Sequence, residues 1–281
     1  MLLRSMLYIP ANKPKYIQSA LSMQTKPDAV ILDLEDGVPH DQKDSARQLI
    51  PEEAKALRSA YPTFIRINSY GSRWFDDDLK VVPHCDGVLL PKATPEGVTA
   101  IINKLMMLAT PLPIIPLIES AVGVVTAHEM ASMKQVTAIG FGAGDLAIDL
   151  GLTWSKDGLE YGYARMKIPV DAAAAGIVAI DGVYMDLDDL EGFERDSSIS
   201  RRLGFKGRQV VHPNQVPIAN KVYAPTESEI SWARRVVQEY EKASSTGIGA
   251  IRVDNELVDY MHYRMAKRIL DTYNEIAKRN Q

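Results

Sequence analysis

The chain has 281 residues, 46% hydrophobic and 24% charged, which is ordinary globular usage and excludes wholesale disorder. Lys and Arg total 32 against 36 Asp and Glu, for a net charge of -4, and no basic stripe marks a nucleic-acid binder. The single cysteine, Cys85, excludes an internal disulfide, no apolar run approaches the roughly 20 residues of a membrane span, and the start, Met1–Pro10 with Arg4 inside it, is too short for a signal peptide; a cytoplasmic protein is expected.

Short apolar runs recur along the chain: 5–9, 29–34, 63–68, 87–90, 113–118, 137–142, 178–185 and 207–211. Each is rich in Val, Ile, Leu or Tyr, as in strands buried on both faces. Helical stretches alternate with them, among them 13–23, 42–59, 95–109, 121–133 and 161–175. Strand then helix, repeated eight times over about 215 residues, predicts parallel strands with crossover helices and fits a (β/α)8 TIM barrel. An open dinucleotide-binding sheet would need a glycine fingerprint after its first strand. Here that strand leads into Pro10-Ala11-Asn12-Lys13.

The beat then changes. Thr226-Glu227-Ser228-Glu229 reads as a capping box that opens a helix to about Lys242. A small-residue linker follows at 244–249, then a hairpin around Asp254-Asn255 and a helix from about Asp259 to Lys278. Met261, Met265, Ile269, Tyr273 and Ile276 give that helix one apolar stripe. Asp259 suits its first turn and Lys278-Arg279 its last. The expected organisation is a catalytic barrel over 1–222 and a helical extension, or lid, over 223–281. About 60 residues are too few for a good core of their own.

Catalytic groups of such barrels sit at the C-terminal ends of the strands. Those ends supply Glu35-Asp36, Arg66, Lys92, Glu119, Asp145 and His212. Glu119 and Asp145 end adjacent strands, where two carboxylates with open water positions suit Mg2+. The alternative is that both cap the following helices. Arg66 can grip a carboxylate or a developing enolate with its planar fork, or form a structural ion pair. Lys13 and Lys92 can meet phosphate or neutralise an acidic rim. The glycines of Gly140-Phe141-Gly142-Ala143-Gly144 read as a turn that admits close backbone approach, because Asp145 would repel a pyrophosphate. His212 reads as a loop lock or a proton shuttle, and Cys85 as inert. Trp74, Trp154 and Trp232 read as packing or interface groups.

The ordered blocks Ser5–Pro14, Asp33-Leu34-Glu35-Asp36-Gly37-Val38, Ile65–Asn68, Leu89–Lys92, Pro116–Ser120, Gly142–Leu146 and Val211–Gln215 resemble the citrate lyase beta subunit-like (CitE-like) family of the HpcH/HpaI aldolase/citrate lyase superfamily. The resemblance implies a (β/α)8 barrel, usually trimeric, that uses Mg2+ and a coenzyme A thioester. It implies cleavage of malyl-, citramalyl- or citryl-thioesters to an acetyl-thioester and a 2-oxo acid such as pyruvate or glyoxylate. It further implies Glu119 and Asp145 as metal ligands and Arg66 as the group that binds the oxo acid and steadies the enolate. Glu35 and Asp36 would support metal-bound waters, and Asn12, Lys13 and Lys15 would lie near coenzyme A. The block Gly249–Asp259 implies that Asp259 is the general acid/base, supplied to a neighbouring subunit. One departure is Gly144, where the family commonly has glutamate. Three other readings are a pyruvate aldolase, a citrate lyase beta subunit acting on an acyl-carrier-protein thioester, and a non-enzymatic binding module. Against the aldolase, Gly37 follows Glu35-Asp36 where those enzymes carry a histidine.

Overall fold

Each of the eight apolar runs is a strand in the computed structural model, which describes residues 2–155, 157–245, 247 and 249–279. The strands are β1 (Ser5–Pro10), β2 (Ala29–Asp33), β3 (Thr63–Arg66), β4 (Gly87–Leu90), β5 (Ile114–Ile118), β6 (Ala138–Phe141), β7 (Val178–Asp181) and β8 (Gly207–Val210). All pair in parallel with their sequence neighbours, and β8 returns to β1 to close the barrel. Most are one or two residues shorter than the apolar runs. The run 178–185 is cut most, ending at Asp181.

The helices are α1 (Pro14–Leu21), α2 (Lys43–Arg58), α3 (Phe75–Asp78), α4 (Pro95–Met107), α5 (Ala121–Ala131), α6 (Ala143–Leu150), α7 (Gly162–Ala174), α8 (Leu190–Leu203) and α9 (Gln215–Val222). The glycine-rich turn is a correction to the sequence reading. Gly142 is the N-cap of α6, so Gly144 and Asp145 stand in a helix's first turn rather than in a loop. Cys85 is buried, and burial pushes its thiol up to about 12, as an inert residue requires. His212 accepts a hydrogen bond from the Asn214 backbone N–H at 3.2 Å, the loop-locking role.

The barrel interior is filled by Leu3, Met6, Ala29, Ile31, Phe64, Leu89, Ile115, Leu117, Ala138 and Ile180, with Tyr8 packed against them. Gly207 is required where β8 meets the barrel's first residues: a Cβ there would lie 1.7 Å from the Leu3 carbonyl oxygen. The register sets Asp33 directly opposite Arg66 at the C-terminal ends of β2 and β3.

The chain divides into two compact units, Leu3–Lys221 and Met1–Leu2 with Val222–Gln281. In the second, α10 (Glu227–Ser244) opens with the expected capping box. A hairpin of β9 (Ala250–Val253) and β10 (Glu256–Asp259) precedes α11 (Tyr260–Arg279). Asp254 and Asn255 take positive φ values of 47° and 70°, as the tight two-residue turn demands. Within the linker, residues 246 and 248 lie outside the described residues. Contrary to the expectation from its length, this unit has its own core of Ala233, Val236, Tyr240, Val253, Val258 and Ala266. The predicted stripe on α11 divides. Ile269 packs on that core, whereas Met261 and Met265 are exposed, because Tyr263, Ala266 and Leu270 define the packed face instead. Among the described residues, no helix is long and apolar enough to cross a membrane.

Phe64 is fully buried at the centre of the barrel. Phe64→Ala is expected to lower unfolding free energy by about 3–5 kcal/mol in denaturant titrations, the usual effect of emptying such a site. A loss below about 1 kcal/mol would contradict this packing.

Candidate active site

Asp33 is the most heavily used acceptor at the C-terminal rim. Its two oxygens take the backbone N–H of Glu35 and of Gly37, at 2.9 and 2.8 Å. They also take Nε and Nη2 of Arg66, both at 2.7 Å. A Cβ on Gly37 would sit 2.3 Å from Asp33 Oδ2, so only glycine lets the loop fold back this far. Arg66 completes its contacts with Glu35 Oε2 at 3.0 Å and stacks over the Tyr8 ring, 4.7 Å from its centroid. Two of the five guanidinium N–H groups bond Asp33 and Nη1 stands against Glu35 as an ion pair, which leaves an N–H on each Nη for a ligand.

The loop after β2 is held by Lys43, whose buried ammonium donates to the carbonyls of Leu34 and Glu35, both at 2.8 Å. Burial lowers the proton affinity of Lys43, and the carboxylates of Asp33, Asp78, Glu35 and Asp36 oppose that fall. Its ammonium also lies 5.0 Å from the centre of the Trp74 ring. Tyr8 donates to Gln209 Oε1 at 2.7 Å, and Gln209 donates to the carbonyls of Phe141 and Asp181. These ties bind the ends of β1, β6, β7 and β8.

Glu119 directly follows β5 and is 4% exposed. It does not cap α5, because Ser120 does so by accepting the Gly123 N–H. One oxygen, Oε1, accepts the Lys92 backbone N–H at 3.0 Å. The other, Oε2, lies over Gly142, where a Cβ would approach it to 3.0 Å and its Cβ to 2.8 Å. Burial, and then the neighbouring Glu35 carboxylate, push Glu119 up to about 8. Burial likewise raises Glu35, against the pull of Arg66 and Lys92. Glu35 Oε2 is buried without a well-aligned hydrogen bond despite its ion pair with Arg66.

Lys92 ties the acids together. Its ammonium stands 2.6 Å from Glu35 Oε1, 3.6 Å from Asp145 and 3.8 Å from Asp36. Of the sequence-predicted residues, Glu35, Asp36, Arg66, Lys92, Glu119 and Asp145 thus share one rim. Asn12 instead bonds Gln42 at 2.7 Å, and its Oδ1 is buried without a partner. Lys13 is the N-cap residue of α1, and both Lys13 and Lys15 are exposed. Asp259 lies in the other unit. Its Oδ1 accepts the Met261 N–H at 2.9 Å and meets His262 Nδ1 at 2.8 Å. The hydrogen bond with His262 holds its carboxyl below the ordinary value. Sequence reasoning gave no role to Asp33, Lys43, Tyr8 or Gln209. Asp33 alone had a readable signal, since it ends the strand beside that of Arg66.

A divalent cation fits this chemistry. Among the described residues, Glu119 offers an oxygen with no hydrogen bond, Asp145 offers a carboxylate whose one ion-pair partner is Lys92, and a Glu35 oxygen with no hydrogen bond beyond its ion pair with Arg66 is buried beside them. Among the described residues, no three His, Cys, Asp or Glu are arranged to hold an ion by themselves. A cation here would therefore rely on two carboxylates, water and ligand oxygen, which suits Mg2+.

The sequence profile of the family HpcH/HpaI aldolase/citrate lyase matches residues 4–213. The chain is 32% identical to a (3S)-malyl-CoA thioesterase of Cereibacter sphaeroides, over 98% of this chain and 95% of that protein. It is also 32% identical to the mitochondrial citramalyl-CoA lyase of Rattus norvegicus, over 98% of this chain and 87% of the other. A crystal structure of the protein CitE from Mycobacterium tuberculosis, in complex with magnesium, acetoacetate and coenzyme A, superposes with a TM-score of 0.78. That pair is 30% identical and covers 95% of this chain and 97% of the other.

The raised Glu119 has a consequence for stability. Between its ordinary value of 4.5 and about 8, the folded protein keeps a proton that the unfolded chain releases, so stability falls as pH rises through that window. Glu35 is shifted in the same direction and adds to the fall. Melts in chelator are expected to show this decline, and Glu119→Gln to flatten it. Parallel profiles for the two proteins would contradict the assignment. The matched profile and the relatives together place the chain in the HpcH/HpaI aldolase/citrate lyase family, among the citrate lyase beta subunit-like proteins.

Proposed function

We propose that the chain is a Mg2+-dependent carbon–carbon lyase. Its substrate would be a 3-hydroxyacyl-CoA dicarboxylate thioester such as citramalyl-CoA or malyl-CoA. The products would be acetyl-CoA and a 2-oxo acid, pyruvate or glyoxylate, with the reverse condensation at the same site. The observation that supports this most is one rim holding a buried glutamate and an aspartate beside an arginine with two free N–H groups.

In this reading Glu119 and Asp145 hold the cation, which when bound polarises a substrate oxygen as a Lewis acid. The remaining steps belong to the chain's own groups. Arg66, fixed by Asp33, points its free N–H groups at the oxo-acid carboxylate and at the enolate oxygen that forms as the carbon–carbon bond breaks. The hydroxyl oxygen becomes the carbonyl of the 2-oxo acid as its proton passes to a rim carboxylate, with Glu35 and Asp36 in reach of that region. The electron pair of the broken bond becomes the enolate, and Asp259 returns a proton to its carbon. In condensation Asp259 is the base. Asn12, Lys13 and Lys15 are assigned to the coenzyme A side, and Asp259 to the site of a neighbouring copy in a trimer, with the C-terminal extension as a lid.

A second reading is hydrolysis of the thioester after or instead of cleavage. The similarity to a protein named (3S)-malyl-CoA thioesterase favours testing it. Parallel assays of malyl-, citramalyl- and citryl-CoA with Mg2+ are expected to release a 2-oxo acid in step with acetyl-CoA. Free CoA without 2-oxo acid would favour hydrolysis alone. Asp145→Ala is expected to abolish turnover and keep the fold, and full activity of that variant, or of wild type in chelator, would remove the metal role. Asp259→Asn is expected to slow turnover by roughly 10²–10⁴ while substrate still binds. An unchanged rate would remove the proton-transfer role.

A further inference from the structure

We propose that the Lys92 side chain is a resident cation of the acidic rim, holding the place of positive charge in the metal-free protein and withdrawing from Asp145 when the divalent ion enters. This rests on Glu119 and Asp145 being the ligands of that ion. Lys92 would be a positioning residue whose two polar ends have separate tasks.

The backbone end is fixed. Lys92 follows β4 with φ at +47°, a left-handed conformation that a side chain disfavours. Among the described non-glycine residues with positive φ, it is the only one at the C-terminal end of a barrel strand. In that conformation its N–H meets Glu119 Oε1 at 3.0 Å. The same residue therefore aims one carboxylate through its backbone while its side chain reaches three others.

The ammonium end is less constrained than the backbone. It sits on a flexible stem, 39% exposed, and its contacts are graded: 2.6 Å to Glu35 against 3.6 Å to Asp145 and 3.8 Å to Asp36. Arg66, by contrast, is a rigid fork pinned by Asp33 and Glu35 and is not available to retreat. Asp145 has no other hydrogen-bond or ion-pair partner among the described residues, so an arriving cation competes there with Lys92 alone. An ion on Asp145 and an ammonium at 3.6 Å from the same carboxylate repel, and the contact to Glu35 offers the ammonium a position to keep. Charge compensation is thereby handed from side chain to metal without leaving the carboxylates bare.

The test is Mg2+ titration calorimetry on wild type, Lys92→Gly and Lys92→Met. Glycine accepts the positive φ and keeps the N–H on Glu119, so Lys92→Gly removes the ammonium with little demand on folding. Both variants are expected to bind Mg2+ roughly tenfold or more tightly than wild type, because the ion no longer displaces a like charge. On wild type alone, reductive methylation of Lys92 is expected to rise several-fold on adding Mg2+, with the exposed Lys80 unchanged. Equal or weaker Mg2+ binding in Lys92→Gly, or methylation of Lys92 indifferent to Mg2+, would overturn the proposal. Wild-type protein that binds no Mg2+ would overturn the metal reading and this proposal with it.

Discussion

The fork between Asp33 and Arg66 is the contact on which the rim depends. The register of β2 and β3 sets the two residues side by side, and both bonds of the fork measure 2.7 Å. The same carboxylate turns the following loop by accepting the N–H groups of Glu35 and Gly37, and so sets Glu35 against Arg66 and Lys92. One buried aspartate thus fixes an arginine, a loop and a second acid. A buried charge held by four donors is well compensated, whereas loss of one member of such a set leaves its partners uncompensated, which is a large penalty.

The second constraint is charge. Glu35 and Glu119 are buried carboxylates, with Asp36 and Asp145 at their edge. Lys43 secures the loop from below by its carbonyl contacts, Arg66 meets Glu35, and Lys92 reaches Glu35, Asp36 and Asp145. Burial still raises the proton affinity of Glu119. A site in that condition favours further positive charge, which is the electrostatic basis for reading it as a cation site that then receives an anionic substrate.

Much of this was legible from the residues. The eight strands stood out because a barrel strand is buried on both faces and reads as a short unbroken apolar run. The capping box and the hairpin turn were legible because each needs particular residues at fixed spacing. The start of α6 was misread because Gly140-Phe141-Gly142-Ala143-Gly144 has the composition of a loop, and only the strand end at Phe141 shows that a helix begins at once. The split stripe of α11 followed from counting apolar residues without knowing which face meets α10. Among site residues, strand-end position located Glu119, Asp145, Arg66 and Lys92. It did not locate Lys43 or Gln209, whose roles depend on contacts across 8 to 68 residues of sequence. The left-handed backbone of Lys92 has no signature at all in a residue type that ordinarily avoids it.

The central claim is that Glu119 and Asp145 jointly hold a divalent cation at this rim. The direct measurement is anomalous diffraction from crystals soaked in Mn2+, an ion that shares the oxygen preference of Mg2+. A strong anomalous peak bonded to both carboxylates is expected. A peak bonded to neither, or none at saturating Mn2+, would contradict it.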